Sequence, residues 1–250
     1  MNLKQSVWET EDYYKKARAG SLDIKHPGIK LLLNLSNENK KILDLGCGEG
    51  TRLSLISDTG TGIDISGKAI SLARKKFPKL NFVIGNLEKL PFNNESFDLV
   101  YSAYVFEHLR DHLEVISEAK RVLKKDGNFV IICPNYGAPN RASPPFNGSR
   151  FKKFLTGFFM KDDLNWNKVT PTADLKKYDT DWDATIEPYS LSLERHLNGN
   201  GFKVVKNIPT WEYELKNAGI HQKVFRFLGK LGLYPFYYWS PHIVIQAKKI

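Results

Sequence analysis

The chain has 250 residues, 42% hydrophobic and 26% charged, a balance that suits one sizeable α/β domain and excludes a disordered or disulfide-scaffolded class. It has no run of about 18 apolar residues, and its polar start (MNLKQSVWETEDYYKK) shows no hydrophobic leader, so the expected compartment is the cytoplasm. The net charge of +10 is uneven: 20 basic against 17 acidic residues over 1–133, but 17 against 10 over 134–250, which leaves an anionic substrate, a membrane face, nucleic acid or a plain solubilising surface open.

In chain order, residues 1–35 read mostly as helix, with Trp8, Tyr13 and Tyr14 ahead of an apolar patch at 29–35. Strand and helix patterns then alternate. Strands are predicted at 41–45, 61–65, 81–84, 97–102 and 128–133, and helices begin at Gly50 and span 67–76 and 109–125. Pro78 ends the second helix, and Asp126-Gly127 is a turn. Strands separated by helices of 10–15 residues imply right-handed βαβ units in an open parallel sheet. Cys47 and Cys133 sit at strand ends without a CxxC pattern and read as small buried thiols. From 134 to 187 the chain is rich in Pro, Asn, Gly and aromatics with weak periodicity, as in a substrate-side insertion. A helix at 190–197 and strands at 202–205 and 242–247 close the pattern.

The stretch ILDLGCGEG, residues 42–50, runs a short strand into alternating glycines. A dinucleotide fingerprint starting at Gly46 would need glycine where Thr51 stands. Asp44, at the strand's C-terminal end, would repel a pyrophosphate and attract an ammonium or sulfonium. Asp64 ends the next strand, where an acidic residue accepts from ribose hydroxyls; it can equally be a turn aspartate before Ser66-Gly67.

Together with GIDIS, GNLEKLPF, FDLVYSAYVFEHL and RVLKKDGNFVIICPN, that stretch resembles class I S-adenosylmethionine-dependent methyltransferases, in the group that includes ubiquinone and small-molecule O-methyltransferases. The resemblance covers roughly residues 38–134. It implies a doubly wound, Rossmann-like α/β fold with a seven-stranded sheet and an antiparallel last strand. It implies S-adenosylmethionine as cofactor, with Asp44 and the amides of Gly46, Cys47 and Gly48 on the methionine moiety. Asp64 would take the ribose hydroxyls and Ile65 would pack on adenine. Asn86, where most relatives have aspartate, would accept from the adenine amino group, and the Leu87 amide would reach adenine N1. Ser102 would lie near the sulfonium. Tyr14, beside Tyr13, resembles an N-terminal lid residue reaching the methionine carboxylate; packing of an amphipathic helix accounts for it equally well.

On the acceptor side, His108 in the turn Phe106-Glu107-His108-Leu109 is the candidate general base, with an ordinary pKa of about 6.5; a structural histidine is the alternative. Glu107, His108, Asp111 and His112 include two histidines four apart but not in HExxH order, and Asp111 suits a helix N-cap, so no metal is expected. Ser143-Pro144-Pro145-Phe146 resembles the Pro-Pro-aromatic signature of amino-directed nucleic-acid methyltransferases but follows strand five rather than strand four, and reads as a rigid turn. Trp166, Tyr178, Trp182 and Tyr189, mixed with Asp179, Asp181, Asp183 and Glu187, suit a polyhydroxylated, glycan-type acceptor or a polar loop anchored by aromatics. Residues 224–239 (VFRFLGKLGLYPFYYW) read as a packed wall, a dimer face, a peripheral membrane contact or a single-stranded nucleic-acid surface.

The expected organisation is a single methyltransferase domain: a helical lid at 1–37, a cofactor core at 38–134, an insertion at 135–187 and C-terminal elements at 188–250. The expected activity is methylation, on oxygen, of a small-molecule or glycan-type acceptor. RNA methylation and non-catalytic cofactor binding are the alternatives, and the sequence leaves the oligomeric state open.

Overall fold

The computed structural model describes residues 23–36, 40–158, 164, 166–171, 181–214 and 218–250. Tyr13, Tyr14, Tyr178 and Asp179 lie outside them.

Short-range chemistry explains how the helices begin. In α1 (Pro27–Leu35), proline at the first turn needs no amide partner and His26 Nδ1 accepts from the Gly28 amide. After β1 (Ile42–Leu45), α2 (Thr51–Ile56) starts from Gly50, whose left-handed φ of 78° suits glycine. Following β2 (Thr61–Asp64), α3 (Gly67–Lys76) is capped by Ser66, whose hydroxyl accepts from the Ala69 amide. Arg74, Lys75 and Lys76 at its end complement the helix dipole. β3 (Asn81–Ile84) and β4 (Phe97–Ala103) follow, then a single 3-10 turn at Phe106–His108. Asp111 caps α4 (His112–Val122) by accepting from the Glu114 amide.

The sheet order is β3-β2-β1-β4-β5-β7-β6, with β5 (Leu123–Pro134), β6 (Phe202–Asn207) and β7 (His242–Lys249) on one side of β4. β1 to β5 are parallel, and β7 runs antiparallel to both β5 and β6. This is the expected doubly wound, seven-stranded arrangement. Two apolar layers sandwich it: Leu43, Leu45, Val100 and Ile131 face one side, while Ile42, Leu99, Tyr101 and Val130 face the other. Fully burying each such side chain contributes about 1.5–3 kcal/mol. Both cysteines are free and buried, as expected.

The helix expected at 109–125 is shorter, because Leu123 already pairs with Phe97 as the first residue of β5. A bulge follows, with Asp126 at a φ of 61°, so the expected turn lies inside the strand. The insertion holds α5 (Arg150–Phe158), which weak periodicity had hidden. Its entry and exit are pinned by Asn135, just beyond β5: its side-chain oxygen accepts from the Ser190 amide, and its nitrogen donates to the Tyr238 and Ser240 carbonyls. α6 (Ser190–Gly199) precedes β6, and α7 (Ile220–Lys230) precedes the 3-10 turn Phe236–Trp239 that leads into β7. None of the helices described is long and apolar enough to cross a membrane.

Candidate active site

Pairing register places Asp44 between Gly62 of β2 and Tyr101 of β4. It is fully buried, and its Oδ2 accepts a 2.7 Å hydrogen bond from the Tyr101 hydroxyl. Its Oδ1 has no hydrogen-bond partner among the described residues. Burial pushes the carboxyl up to about 6; Arg52 and Tyr101 pull it down, and Asp64 adds a small upward push. A buried carboxylate with an unmatched oxygen is costly unless something cationic completes it.

The glycine loop continues directly from β1, with Cys47 close enough to Asp44 to feel its charge. Gly46 sits at a φ of 79°, and a Cβ there would come within 2.4 Å of the Val105 side chain, so both backbone conformation and space require glycine. The Gly46 and Cys47 amides donate to the Ile63 carbonyl at 2.8 and 3.1 Å, and the Gly48 amide donates to Asp64 Oδ2 at 2.8 Å. The end of β2 thus engages all three amides in the unliganded fold. Asp64 Oδ1 also accepts from the Ser66 amide at 2.9 Å, so this residue is the turn aspartate as well as the strand-end carboxylate. Each of its oxygens can accept more than one hydrogen bond.

Ile65, next in the chain, is 49% exposed, an apolar surface at the rim. Asn86 is exposed, and its side-chain oxygen accepts from the Glu88 amide at 3.0 Å, while Leu87 is buried in the core. Ser102 is also fully buried, and its hydroxyl donates to the Leu45 carbonyl at 3.3 Å, tying β4 to β1 at their C-terminal ends. Cys47 is buried close beneath Gly62.

A second cluster forms in the turn after β4. His108 Nδ1 lies 3.4 Å from Asp183 Oδ2, and its Nε2 lies 3.8 Å from Glu107 Oε1. Glu107 is fully buried, and neither carboxyl oxygen has a hydrogen-bond partner among the described residues. Burial, partly countered by His108, pushes its carboxyl up to about 8. For His108, burial opposes the charged form, but Asp183, Glu107 and Asp181 outweigh it and hold the imidazole above its ordinary pKa. Ligand-type atoms of Glu107, His108 and Asp181 all lie within 4.8 Å of one another, a spacing that a shared proton or a small cation can bridge. The Tyr136 hydroxyl donates to Asp181 Oδ2 at 2.6 Å. The insertion roofs the cluster: the Thr185 amide and hydroxyl both donate to the Glu107 carbonyl.

The other expectations for this region sort themselves by burial. The set Glu107, His108, Asp111 and His112 does not assemble, because Asp111 is an N-cap and His112 turns away to the Leu164 carbonyl and stacks on Trp166 at 4.4 Å. Trp166 and Tyr189 are core residues rather than an exposed acceptor platform. Glu187 is structural as well. Fully buried, it accepts from the Ser143 amide and hydroxyl, from Asn167, and from Lys153 at 2.5 Å. Asp181 and Asp183 alone among the described insertion carboxylates face His108. Pro144 and Pro145 lie in a turn closed by the Phe146 amide on the Ser143 carbonyl, as a rigid turn requires.

Sequence reasoning missed Tyr101 and Arg52, and named Asp183 only as one of several loop carboxylates. Strand register would have flagged Tyr101, since it stands laterally opposite Asp44. A buried histidine pair was missed too. The Gly28 amide occupies His26 Nδ1, so His26 Nε2 carries the proton and donates to His242 Nδ1 at 3.1 Å. Burial lowers His26 to about 4 and His242 to about 3.

Residues 43–131 match the family model described as "Methyltransferase domain". The chain is 30% identical over 166 residues to a demethylmenaquinone methyltransferase of Thermotoga maritima, covering 64% of this chain and 69% of that protein. It is 33% identical over 139 residues to a probable S-adenosylmethionine-dependent methyltransferase of Mycolicibacterium smegmatis, covering 50% of this chain and 54% of that one. Among solved structures it is similar to a putative methyltransferase in complex with the Haloferax volcanii Trm112 methyltransferase activator. The TM-score is 0.57 at 17% identity, covering 96% of this chain and 97% of that chain, a likeness of fold.

Proposed function

The chain belongs to the class I S-adenosylmethionine-dependent methyltransferases, and on that premise we propose that it methylates a hydroxyl oxygen of a small-molecule or glycan-type acceptor. The observation that carries this reading is the His108–Asp183 pair beside the buried Glu107, under the insertion and in the turn after β4. A desolvated imidazole held by a carboxylate is suited to removing a hydroxyl proton.

The cofactor fits the first cluster. Asp44 Oδ1 is a buried acceptor with no partner among the described residues, which a positively charged amino acid moiety would satisfy. Ile65 leaves an apolar face beside Asp64, a platform for a flat ring. In this assignment Asp44 takes the methionine end, with the backbone of Gly46, Cys47 and Gly48 as the floor. Asp64 would receive the ribose hydroxyls, Ile65 would pack on the base, the Leu87 backbone amide would reach adenine N1, the exposed Asn86 side-chain oxygen would accept from the adenine amino group, and Ser102 would lie near the sulfonium. When bound, S-adenosylmethionine supplies a methyl group on a sulfonium, already activated for transfer. The chain's own task is therefore alignment and proton removal. His108 takes the proton from the acceptor hydroxyl. Asp183, 3.4 Å from Nδ1, holds the imidazole in place.

The names of the T. maritima demethylmenaquinone methyltransferase and of a Campylobacter jejuni ubiquinone/menaquinone biosynthesis C-methyltransferase support a second reading, carbon methylation of a quinone-type acceptor. The two separate by product analysis: methyl-labelled cofactor, an acceptor panel of sugars and quinols, and determination of the atom carrying the label. Label on carbon, or activity unchanged in His108→Asn, refutes the oxygen reading.

A further inference from the structure

We propose that the outer face of α7 docks on an anionic lipid bilayer. This inference is independent of the acceptor. Ile220, Val224, Phe227 and Leu231 are 73%, 49%, 63% and 59% exposed. Their spacing of four, three and four residues places them on one stripe of the helix. Leu233 and Tyr234, also exposed, extend the patch beyond the helix end.

The opposite face is fully employed. Phe225 stacks with Phe154 and Phe236 and meets Trp239 edge-on, Gln222 exchanges hydrogen bonds with Asn140, and Gly229 lies against Trp211. The region is thus the packed wall expected from sequence on its inner side. Its outer side is apolar where a surface helix would ordinarily be polar.

Charge identifies the occupant. Lys223 and Lys230 are exposed on one flank of the stripe, Arg226 is half-buried beside them, and His221 is exposed on the other flank. No acidic residue occurs after Glu214. Two copies packed through this face would bring their lysines together with no carboxylate from this segment to neutralise them, whereas a surface of anionic headgroups complements the apolar stripe and its basic flank together. An 11-residue helix is about 16 Å long, too short to span a bilayer but suited to lying in its interface. The Phe236–Trp239 turn beside α7 leads into His242, which pairs with Pro134 at the C-terminal end of β5. Docking would therefore set the sheet end that bears the glycine loop and His108 near the membrane.

The test is sedimentation of the full chain with phosphatidylcholine vesicles, with and without about one-third phosphatidylglycerol. The expected result is binding to the anionic vesicles only, weakened by salt. Phe227→Asp should reduce the bound fraction about tenfold. Lys223→Glu should reduce it about fivefold, with thermal unfolding unchanged in both variants. No binding, equal binding by Phe227→Asp, or a concentration-dependent dimer that Phe227→Asp abolishes in the absence of vesicle binding would overturn the proposal, the last by assigning the face to a second copy.

Discussion

Replacing Asp44 with Asn should separate stability from cofactor binding in opposite directions. Burial raises this carboxyl from 3.8 to about 6. Because the folded pKa lies above the unfolded one, the group's contribution to stability is complete at low pH and is lost as pH rises through about 6. At about 1.4 kcal/mol per unit, the ionised carboxylate costs the unliganded fold on the order of 3 kcal/mol at pH 7. Asparagine removes that cost and keeps an oxygen for the Tyr101 hydroxyl, but its amide protons need partners, a penalty of about 1–3 kcal/mol. The unliganded variant should therefore match the wild type or gain up to about 2 kcal/mol, a rise in Tm of up to about 8 °C. The cofactor, deprived of a buried ionic partner, should lose about 3 kcal/mol or more, on the order of 100-fold in Kd. Thermal unfolding and calorimetric titration at pH 7 measure both. Repeating the titration at pH 5, where wild-type Asp44 is mostly protonated, should weaken the wild type about tenfold and leave Asp44→Asn unmoved. A destabilised variant that binds cofactor normally, or one that keeps the wild-type pH dependence, refutes the reasoning and returns Asp44 to a structural role.

His108→Asn should lower kcat by about 100-fold or more while cofactor affinity holds, measured by turnover and calorimetry. Since Asp183 helps to raise the His108 pKa, Asp183→Asn should move the basic-form limb of the kcat/KM profile to lower pH; an unshifted limb would deny Asp183 its positioning role. Lys153→Met leaves Glu187 buried without its cation and should cost about 3–5 kcal/mol, seen as a fall in Tm of at least about 6 °C. His26 and His242 have folded pKa values depressed below 6.5, so their stabilisation is complete above that pH and is lost as pH falls toward about 4 and about 3. His242→Gln should flatten the acid-side decline of Tm between about pH 6.5 and 4, and an unchanged slope would exclude the pair as its source.

Local chemistry made the cofactor half of this protein legible in sequence. Alternating strands and helices, the glycines required by left-handed backbone, and carboxylates at two successive strand ends are properties of short segments. The alternating elements along 41–133 therefore point to the fold, and Ile42 to Gly50 to a cationic ligand. Even there, the direction of the amides was a tertiary fact: Gly46, Cys47 and Gly48 donate to Ile63 and Asp64 of a neighbouring strand, which no local pattern reveals. Burial decided the acceptor half. Glu187 and Asp183 lie four residues apart in the same loop and look alike in sequence. One is consumed by Lys153, Ser143 and Asn167, while the other meets His108 across 75 positions of chain. Likewise Trp166 and Phe227 are equally apolar, yet packing places one in the core and leaves the other on the surface. The sequence specified which side chains carry charge and apolar area. Only the tertiary structure determined which of them meet one another and which face solvent, because that depends on contacts between segments far apart in the chain.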